Sequence, residues 1–358
     1  MTNLKKLGLT ALAGSLVAVS AHAGEMSVSG SADVTYKTGG ADDAAQSLGH
    51  NTDITFSGSG ELDNGYEVNM FVAYNDTAAL ESSALSVTMG SMGTLGVSKA
   101  GGMNINGAYD ETYPRAYEEN SDAGGQSASN YVGSAVDDNA LIYMAPSINI
   151  AGVDISAGAE YSFQAGSGTT NDGGTIARSD DKGTGWGVGV TASVAGATFG
   201  AYASDAENIK NGGNSPDDDE TTYSGFINYS FGPVSVGYQK TYVDAGVSIT
   251  GVSTTTAAKT VGTSGGIFSD ESMSIAFNVN DNLSVSYAET DGTYSDQAYT
   301  AGTLNKTADQ TQNSDSIQVA YSMGAMSVKA YKTEIKNPNY DQDAGELEVN
   351  EIAIGLAF

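Results

Sequence analysis

Residues 26–37, MSVSGSADVTYK, alternate apolar or small side chains at even positions with polar side chains at odd positions. A period of two is typical of a β-strand that has one apolar face and one wet face. The same alternation returns at residues 53–61 and, after the turn Asp63-Asn64-Gly65, at residues 66–74. Asn-Gly between alternating segments predicts a hairpin, so the first three strands form a meander.

Comparable patterns recur to the end of the chain and bring the predicted strands to sixteen, the further ones being 82–90, 93–99, 139–146, 152–163, 185–194, 197–204, 221–231, 233–242, 271–279, 282–290, 315–323, 325–333 and 346–358. Short turns alternate with long connections, which are predicted at 38–52, 75–81, 100–138, 164–184, 205–220, 243–270, 291–314 and 334–345. Tight turns at one end and long loops at the other predict an antiparallel up-and-down β-barrel of even strand number.

The residues on the wet faces indicate where this barrel resides. They are mostly small and polar, as in Ser27, Ser29 and Ser31, and charged residues are scarce in the strands but abundant in the loops. Tyrosines collect toward strand ends, which suits an aromatic girdle at a membrane interface. The chain is therefore predicted to be all-β, a transmembrane barrel with its apolar face toward lipid, closed because lipid leaves no backbone group unpaired.

The first 23 residues have the features of a secretory signal peptide. Lys5 and Lys6 form a basic start, residues 7–19 are apolar, and Ala21-His22-Ala23 is an A-x-A cleavage site. The barrel domain is then predicted to occupy residues 24–358. The chain has no cysteine, so the exported protein has neither disulfides nor a thiol nucleophile.

The charge balance excludes some function classes. With 43 acidic residues against 14 Lys and Arg, the net charge is −29. Nucleic acid is excluded as a partner, because binding phosphates requires cations. Past the signal peptide the only histidine is His50, so Ser-His-Asp, Cys-His and His-based metal centres lack their parts, and no enzyme activity is expected.

Residues 100–138 form the longest of the predicted connections. A loop of this length is usually a lid, a binding loop or a disordered segment. It is rich in acids around a single cation, Arg115, and carries three tyrosines at 109, 113 and 117. That i, i+4, i+8 spacing predicts a short helix with one aromatic face, which would pack on another part of the protein.

Three stretches resemble the trimeric porins of the Gram-negative outer membrane. Residues 87–99, VTMGSMGTLGVSK, are similar to the porin hairpin that ends in a cation before the constriction loop. Residues 138–146, DNALIYMAP, with 150–153, IAGV, resemble the strand that follows that loop, with Ala145 where serine is usual. The chain ends IAIGLAF, and the terminal Phe358 is like the signal that the outer-membrane assembly machinery reads.

This resemblance implies a homotrimeric channel of the outer membrane, surrounded by lipid and lipopolysaccharide, through which small hydrophilic solutes and ions diffuse. The third extracellular loop, residues 100–138, would fold inward as the constriction. Family members usually set arginines on the opposite wall, but no arginine lies in any predicted strand of this chain. The predicted pore therefore prefers cations; its constriction residues are Asp110, Glu111, Glu118, Glu119 and Asp122, with Arg115, Lys99 and Lys37 as counter-charges.

Two other hypotheses concern a calcium site and the functional class of the protein. Side-chain oxygens at alternate positions of residues 339–345 suggest a loose calcium site, although the pattern fails as an EF-hand. Its expected ligands are Asp341 and Asp343, together with the acidic run Asp217, Asp218 and Asp219. The alternatives to a general porin are a substrate-specific channel whose loop tyrosines stack on a sugar or other ring, and a non-channel barrel acting as an adhesin or structural coat.

Overall fold

The computed structural model describes residues 26–40, 45–77, 79–99, 102–122, 132, 140–163, 182–208, 219–246, 266–300, 303–306 and 308–358. The signal peptide predicted at residues 1–23 lies outside these ranges, as do Asp217 and Asp218. Among the described residues, no helix has the length and apolar character needed to cross a membrane.

Almost all of the described chain is β-strand. The strands are β1 (Met26–Gly39), β2 (Gln46–Glu61), β3 (Glu67–Tyr74), β4 (Leu80–Thr88), β5 (Thr94–Lys99), β6 (Ala140–Met144), β7 (Ile148–Ile150), β8 (Val153–Ser162), β9 (Lys182–Val194), β10 (Ala197–Asn208), β11 (Glu220–Phe231), β12 (Val234–Asp244), β13 (Ile267–Asn280), β14 (Leu283–Ser295), β15 (Gln297–Thr300), β16 (Thr303–Lys306), β17 (Gln310–Met323), β18 (Met326–Lys336) and β19 (Leu347–Ala357).

Sixteen strands close into one antiparallel barrel. β6 and β7 both pair with β8 and are two halves of one barrel strand, whereas β15 and β16 pair only with each other. Each remaining strand pairs with its neighbours in sequence, and β1 pairs with β19 along the seam that closes the barrel. The predicted fold class and strand number are therefore confirmed.

The barrel is apolar outside and polar inside. In β17 the side chain of Ile317 is 62% exposed, while its neighbours Ser316 and Gln318 are 0% and 1% exposed. The same inversion recurs around the barrel: apolar side chains such as Ile227, Ile275 and Ile354 are exposed on the outer face, and hydroxyls and amides are covered inside. This is the arrangement of a barrel whose outer face meets lipid.

The short turns lie together at one end and have the geometry that tight hairpins require. Ala151-Gly152 and Ala195-Gly196 each place two consecutive residues at positive φ, between 49° and 87°. Such turns match the right-handed twist of the flanking strands. The described part of the acidic loop after β5, residues 102–122, leaves from the opposite end.

The predicted loop at 38–52 is wrong in extent. β1 continues to Gly39 and β2 begins at Gln46, and the two pair from Thr38↔Gln46 down to Met26↔Gly58. Residues 46–52 are mostly polar and lack the apolar alternation from which strands were predicted. A strand that extends beyond the membrane needs no apolar face. The loop predicted at 291–314 also contains regular structure, namely the end of β14, the β15–β16 hairpin and the start of β17.

Candidate pore constriction

Residues 102–122 run inside the barrel along its inner wall. The backbone N–H of Met103 donates to Ser98 Oγ at 2.7 Å, and that of Ile105 donates to Glu160 Oε2 on β8 at 2.7 Å. Further along, the backbone N–H of Ala116 donates to Ser286 Oγ on β14 at 2.8 Å. The loop therefore crosses the wall from β8 toward β19, and its inward folding is confirmed.

The first half of the loop, residues 103–114, is held by packing. Ile105 and Tyr109 are 4% exposed and join a buried apolar cluster that includes Tyr202 and Phe226 of the wall. The Tyr109 ring stacks on Tyr202 with 5.3 Å between ring centroids. Gln239 on β12 adds a polar anchor, since its Nε2 donates to Tyr109 O and its Oε1 accepts from the backbone N–H of Thr112 at 2.7 Å.

The second half, residues 115–122, is held by hydrogen bonds from wall side chains. Gln318 on β17 accepts from the backbone N–H of Tyr117 at 2.9 Å and donates to Glu118 O at 2.7 Å. Asn120 Nδ2 donates to Thr290 Oγ1 and to Ser314 O, both at 3.0 Å. These contacts place the acidic part of the loop against β14 and β17.

Glu111 joins the two halves. Its residue has a positive φ of 39° and is 1% exposed. The carboxylate accepts hydrogen bonds from Tyr113 Oη at 2.5 Å, from the backbone N–H groups of Asn120 and Ser121 at 2.9 and 3.1 Å, and from Ser121 Oγ. Glu111 therefore closes the loop on itself instead of facing the water-filled space, which differs from its predicted role.

The tip of the loop is fastened to the seam of the barrel. Tyr117 Oη donates to Glu351 Oε1 at 2.7 Å, and Lys37 Nζ lies 3.0 Å from Glu351 Oε2. Lys37 and Glu351 face each other across the β1–β19 pairing. Lys329 Nζ lies 5.0 Å from the centroid of the Tyr117 ring, a distance that allows a cation–π contact. Lys37 therefore lies at the inner wall and is paired with Glu351.

Arg115 is the only cation of the described loop. Its guanidinium lies 2.5 Å from Glu119 Oε1 and also donates to the backbone carbonyl of Glu111. Asp110, Glu118 and Asp122 form no ion pair within the described part of the chain. Arg115 therefore neutralises one acid and leaves the loop with excess negative charge.

Burial and mutual repulsion shift the titration of the loop acids. Burial, with the neighbouring charges of Glu111 and Glu119, raises the pKa of Asp110 to about 8. Burial and the charge of Glu111 raise the pKa of Glu119 to about 7, although Arg115 opposes the shift. The pKa of Glu118 is also raised, first by burial and then by Asp122. The negative charge of the constriction therefore depends on pH near neutrality.

Lys99 is not brought to these acids. In β5 the side chains of Leu95 and Val97 are exposed on the outer face while Ser98 is covered inside. Alternation places Lys99 in step with Leu95 and Val97, on the outer face. The sequence contained this signal, because Lys99 stands at an apolar position of its own strand.

The helix predicted from the tyrosine spacing is wrong. Only a short 3₁₀ turn, Asn106–Ala108, precedes Tyr109, and residues 109–122 have no regular helix. Two of the three tyrosines anchor the loop on different strands, Tyr109 against β10 and β11 and Tyr117 against β18 and β19. Tyr113 instead donates to Glu111 within the loop. Pro114 and the span across the wall favour an extended path over a helix.

The described part of the wall that the loop does not cover carries acids and no arginine. Asp33 on β1 faces inward beside Gly355 and Ser327 Oγ. Asp53 on β2 accepts hydrogen bonds from Asn51 Nδ2 at 3.0 and 3.1 Å and lies 3.4 Å from Ser31 Oγ. Both residues lie on the wet faces of their strands, although neither was predicted to be a pore residue.

A second loop also folds into the barrel. In the 3₁₀ turn Pro338–Tyr340, Tyr340 is 0% exposed, packs against Phe268 and Tyr294, and donates to Asp270 Oδ1 at 3.2 Å. Nothing in the sequence pattern predicts this insertion.

The calcium hypothesis concerns Asp341 and Asp343, in the loop between β18 and β19. Asp341 Oδ1 accepts a hydrogen bond from the backbone N–H of Asp343 at 3.0 Å, so this oxygen closes a local turn. Within the described ranges, no three His, Cys, Asp or Glu side chains are grouped as metal ligands. Asp219 immediately precedes β11, and its neighbours Asp217 and Asp218 lie outside those ranges.

Comparison with known proteins agrees with this architecture. A search of curated protein sequences gives no match. Among solved structures, the chain resembles a porin refined at 1.8 Å (TM-score 0.62, 12% identity, 93% of this chain and 100% of that one). It resembles Salmonella typhi OmpF in complex with daunomycin (0.62, 13%, 94% and 98%) and an anion-selective porin from Comamonas acidovorans (0.59, 12%, 93% and 99%).

These structural likenesses establish the fold, and the sequence itself establishes the family. The sequence profile of the Gram-negative porins matches residues 8–358, nearly the whole chain. The chain therefore belongs to the Gram-negative porin family, whose members are channels of the outer membrane.

Proposed function

We propose that this channel admits small hydrophilic solutes and ions by passive diffusion, prefers cations over anions, and works as a homotrimer. The observation that carries the cation preference is the uncompensated charge of the loop. Arg115 and Lys37 are each paired with an acid, while Glu118 and Asp122 form no ion pair in the described ranges. Fixed negative charge at a narrow point concentrates cations and repels anions.

The part of the barrel wall that the loop does not cover also favours cations over anions. Asp33 and Asp53 face the lumen on β1 and β2, and neither strand carries an arginine. The fold alone does not determine the sign of selectivity, since one structural neighbour is described as anion-selective. The side chains of the lumen therefore carry the argument.

The substrate-specific alternative is less well supported. It requires tyrosine faces that are free to stack on a solute, but Tyr109 stacks on Tyr202 and Tyr113 is 2% exposed. Tyr117 lies against Tyr331, with 6.0 Å between ring centroids. The adhesin or structural alternative predicts a barrel without conductance. A homotrimer is proposed by analogy, since one neighbour is described as a trimer form of OmpT from Vibrio cholerae.

The proposal is tested by reversal potential under a salt gradient, with the refolded barrel in a planar bilayer. The unmodified protein should give cation-selective steps in groups of three. The variant E118Q/E119Q/D122N should lose most of this selectivity while its conductance persists. E289Q is the matched control, because Glu289 lies on the outer face in step with Val285 and Tyr287. An unmodified protein that is anion-selective, or a triple variant with unchanged reversal potential, would refute the cation filter.

A further inference from the structure

Four glycines of the inner wall lie directly against the first half of the loop. Gly96 on β5 faces Met103, Gly158 on β8 faces Ile105, Gly189 on β9 faces Tyr109, and Gly237 on β12 faces Tyr113 and Pro114. These four glycines are called the sockets below. Their order around the barrel follows the order of the loop residues. Each socket faces one bulky loop side chain, or in the case of Gly237 a pair of them.

None of the sockets has room for a side chain. A Cβ at Gly96 would lie 2.5 Å from Met103 Sδ, and one at Gly158 would lie 2.4 Å from Ile105 Cδ1. At Gly189 the nearest atom is Tyr109 Cε2 at 2.3 Å, and at Gly237 the nearest atoms are Asn228 Oδ1 of the wall and Pro114 Cδ of the loop, both at 2.4 Å. Real Cβ atoms essentially never approach other atoms this closely, so a substitution would require the facing side chain to change rotamer or the loop or wall to move. Ile105 and Tyr109 are 4% exposed in a packed cluster, which leaves little room for a change of rotamer there.

The sequence of β9 shows how consistently the wall avoids side chains here. In residues 182–190, KGTGWGVGV, glycine occupies the inward positions 183, 185, 187 and 189, whereas Trp186, Val188 and Val190 point outward and are exposed. Glycine inside a strand weakens it and often marks close approach of another part of the chain. The neighbouring inward positions of β9, Thr191 and Ser193, carry side chains again.

We propose that the sockets set the width of the pore. This inference rests on the proposed channel function. Because the inner-wall Cβ atoms point into the lumen, a missing Cβ lets the loop lie one layer of atoms closer to the wall, and the aperture is correspondingly wider. The glycines are positioning residues, acting through Met103, Ile105, Tyr109 and the Tyr113-Pro114 pair. The depth of these sockets, and not the loop length alone, determines the size of solute that passes.

The Gly158–Ile105 pair allows a test that conserves volume. G158A adds one methyl group to the wall and should push the loop toward the lumen. I105V removes Cδ1, the atom that the new methyl would meet. The double variant G158A/I105V therefore moves one methyl group from loop to wall at nearly constant volume. G225A is the matched control, since Gly225 lies between the outward-facing Tyr223 and Ile227 and a Cβ there would have its nearest contact at 3.7 Å.

The measurements are single-channel conductance and the exclusion of neutral polymers of graded size, with barrel folding checked by heat-dependent electrophoretic mobility. G158A should lower conductance by about 1.5- to 2-fold and reduce the size limit, because close-packed interiors transmit such a displacement. G158A/I105V should return both values toward those of the unmodified protein, and G225A should leave them unchanged. Reversal potential should change little, because no charge is altered.

A folded G158A barrel with unmodified conductance and size limit would overturn the inference, as would failure of I105V to restore a narrowed pore. If G158A does not assemble, I105A tests the same contact without adding atoms. Emptying the socket should loosen the loop and increase open-channel current noise, and unchanged noise would contradict the inference. A silent unmodified barrel would instead overturn the proposed channel function itself.

Discussion

The two halves of the constriction loop are attached to the same wall by different physics. Residues 103–114 bury apolar and aromatic side chains in the glycine sockets and in the Tyr202–Phe226 cluster. Residues 115–122 lie on hydroxyls and amides of β14 and β17 and carry three acids of the loop, Glu118, Glu119 and Asp122. The difference suggests a division of labour, in which the first half fixes the position of the loop and the second half supplies its charge.

The largest expected effect lies in the first half. Y109A removes a buried ring from between Tyr202 and Phe226 and should weaken docking of the loop by about 3–5 kcal/mol, as for other buried aromatic truncations. Hydrogen exchange of residues 103–114 should rise while the barrel strands keep their protection. Y109F retains the ring and is the control. Equal protection in Y109A and the unmodified protein would show that packing does not hold this half.

E111A should have the next largest effect, and it should act on the junction between the halves. Without the carboxylate, the donors at Tyr113, Asn120 and Ser121 lose their acceptor in a buried setting, which should cost about 3 kcal/mol. Limited proteolysis should then cut near residues 115–122 in the folded barrel. Protease resistance equal to that of an E289Q control would contradict the role assigned to Glu111.

The third prediction concerns the effect of pH on the charge of the loop, which has one titrating acid in each half. With pKa values of about 8 for Asp110 and about 7 for Glu119, both groups gain charge between pH 6 and pH 9. The cation-to-anion permeability ratio should therefore rise about twofold over this range. In D110N the upper part of the rise should disappear, and a pH-independent ratio in the unmodified protein would contradict the titration.

The same shifts determine how pH affects loop docking. Both folded pKa values lie above the ordinary 3.8 of Asp and 4.5 of Glu, so the docked loop binds more protons than the free loop between those values. Docking should weaken as the pH rises from about 4 to about 8 and should then level off. Hydrogen exchange of residues 115–122, corrected for intrinsic pH dependence, measures this trend, which should be smaller in D110N.

The smallest effect is expected at the loop tip. Y117F removes one hydrogen bond to Glu351, which keeps Lys37 and Tyr331 as partners, so docking should weaken by only about 1–2 kcal/mol. Y331F is the matched control, because it removes a bond to the same carboxylate from the wall and not from the loop. Loop protection should fall in Y117F only; equal loss in both variants would show that the tip contact is not specific.

The barrel could be predicted from the sequence with few errors because its strands obey one local rule. A period of two, tight turns at one end and sparse strand charges sufficed for sixteen strands and for the inversion of inside and outside. The misplaced boundary at residues 38–52 arose where the rule stops, since strands beyond the lipid need no apolar face. For Lys99 the rule held but was not applied. The residue lies at an apolar position of β5, which indicated the outer face and not the constriction.

The constriction could be predicted only in outline. Length, acidity and the tyrosines of residues 100–138 identified the loop, but an irregular segment has no period from which to read where a side chain points. Glu111 and Asp110 are adjacent acids, yet one accepts hydrogen bonds from Tyr113, Asn120 and Ser121 while Asp110 Oδ1 is buried with no hydrogen-bond partner in the described chain. No sequence pattern distinguishes them.

The sequence by itself determined the strand periodicity, the excess of acids and the position of the inserted loop, because each of these is a local property of the chain. Only the tertiary structure decided that Tyr117 reaches Glu351 across 234 residues, that Glu111 turns inward, and that glycines of four strands receive the loop. Those contacts join residues far apart in sequence, and closure of the barrel is what brings them within reach of one another.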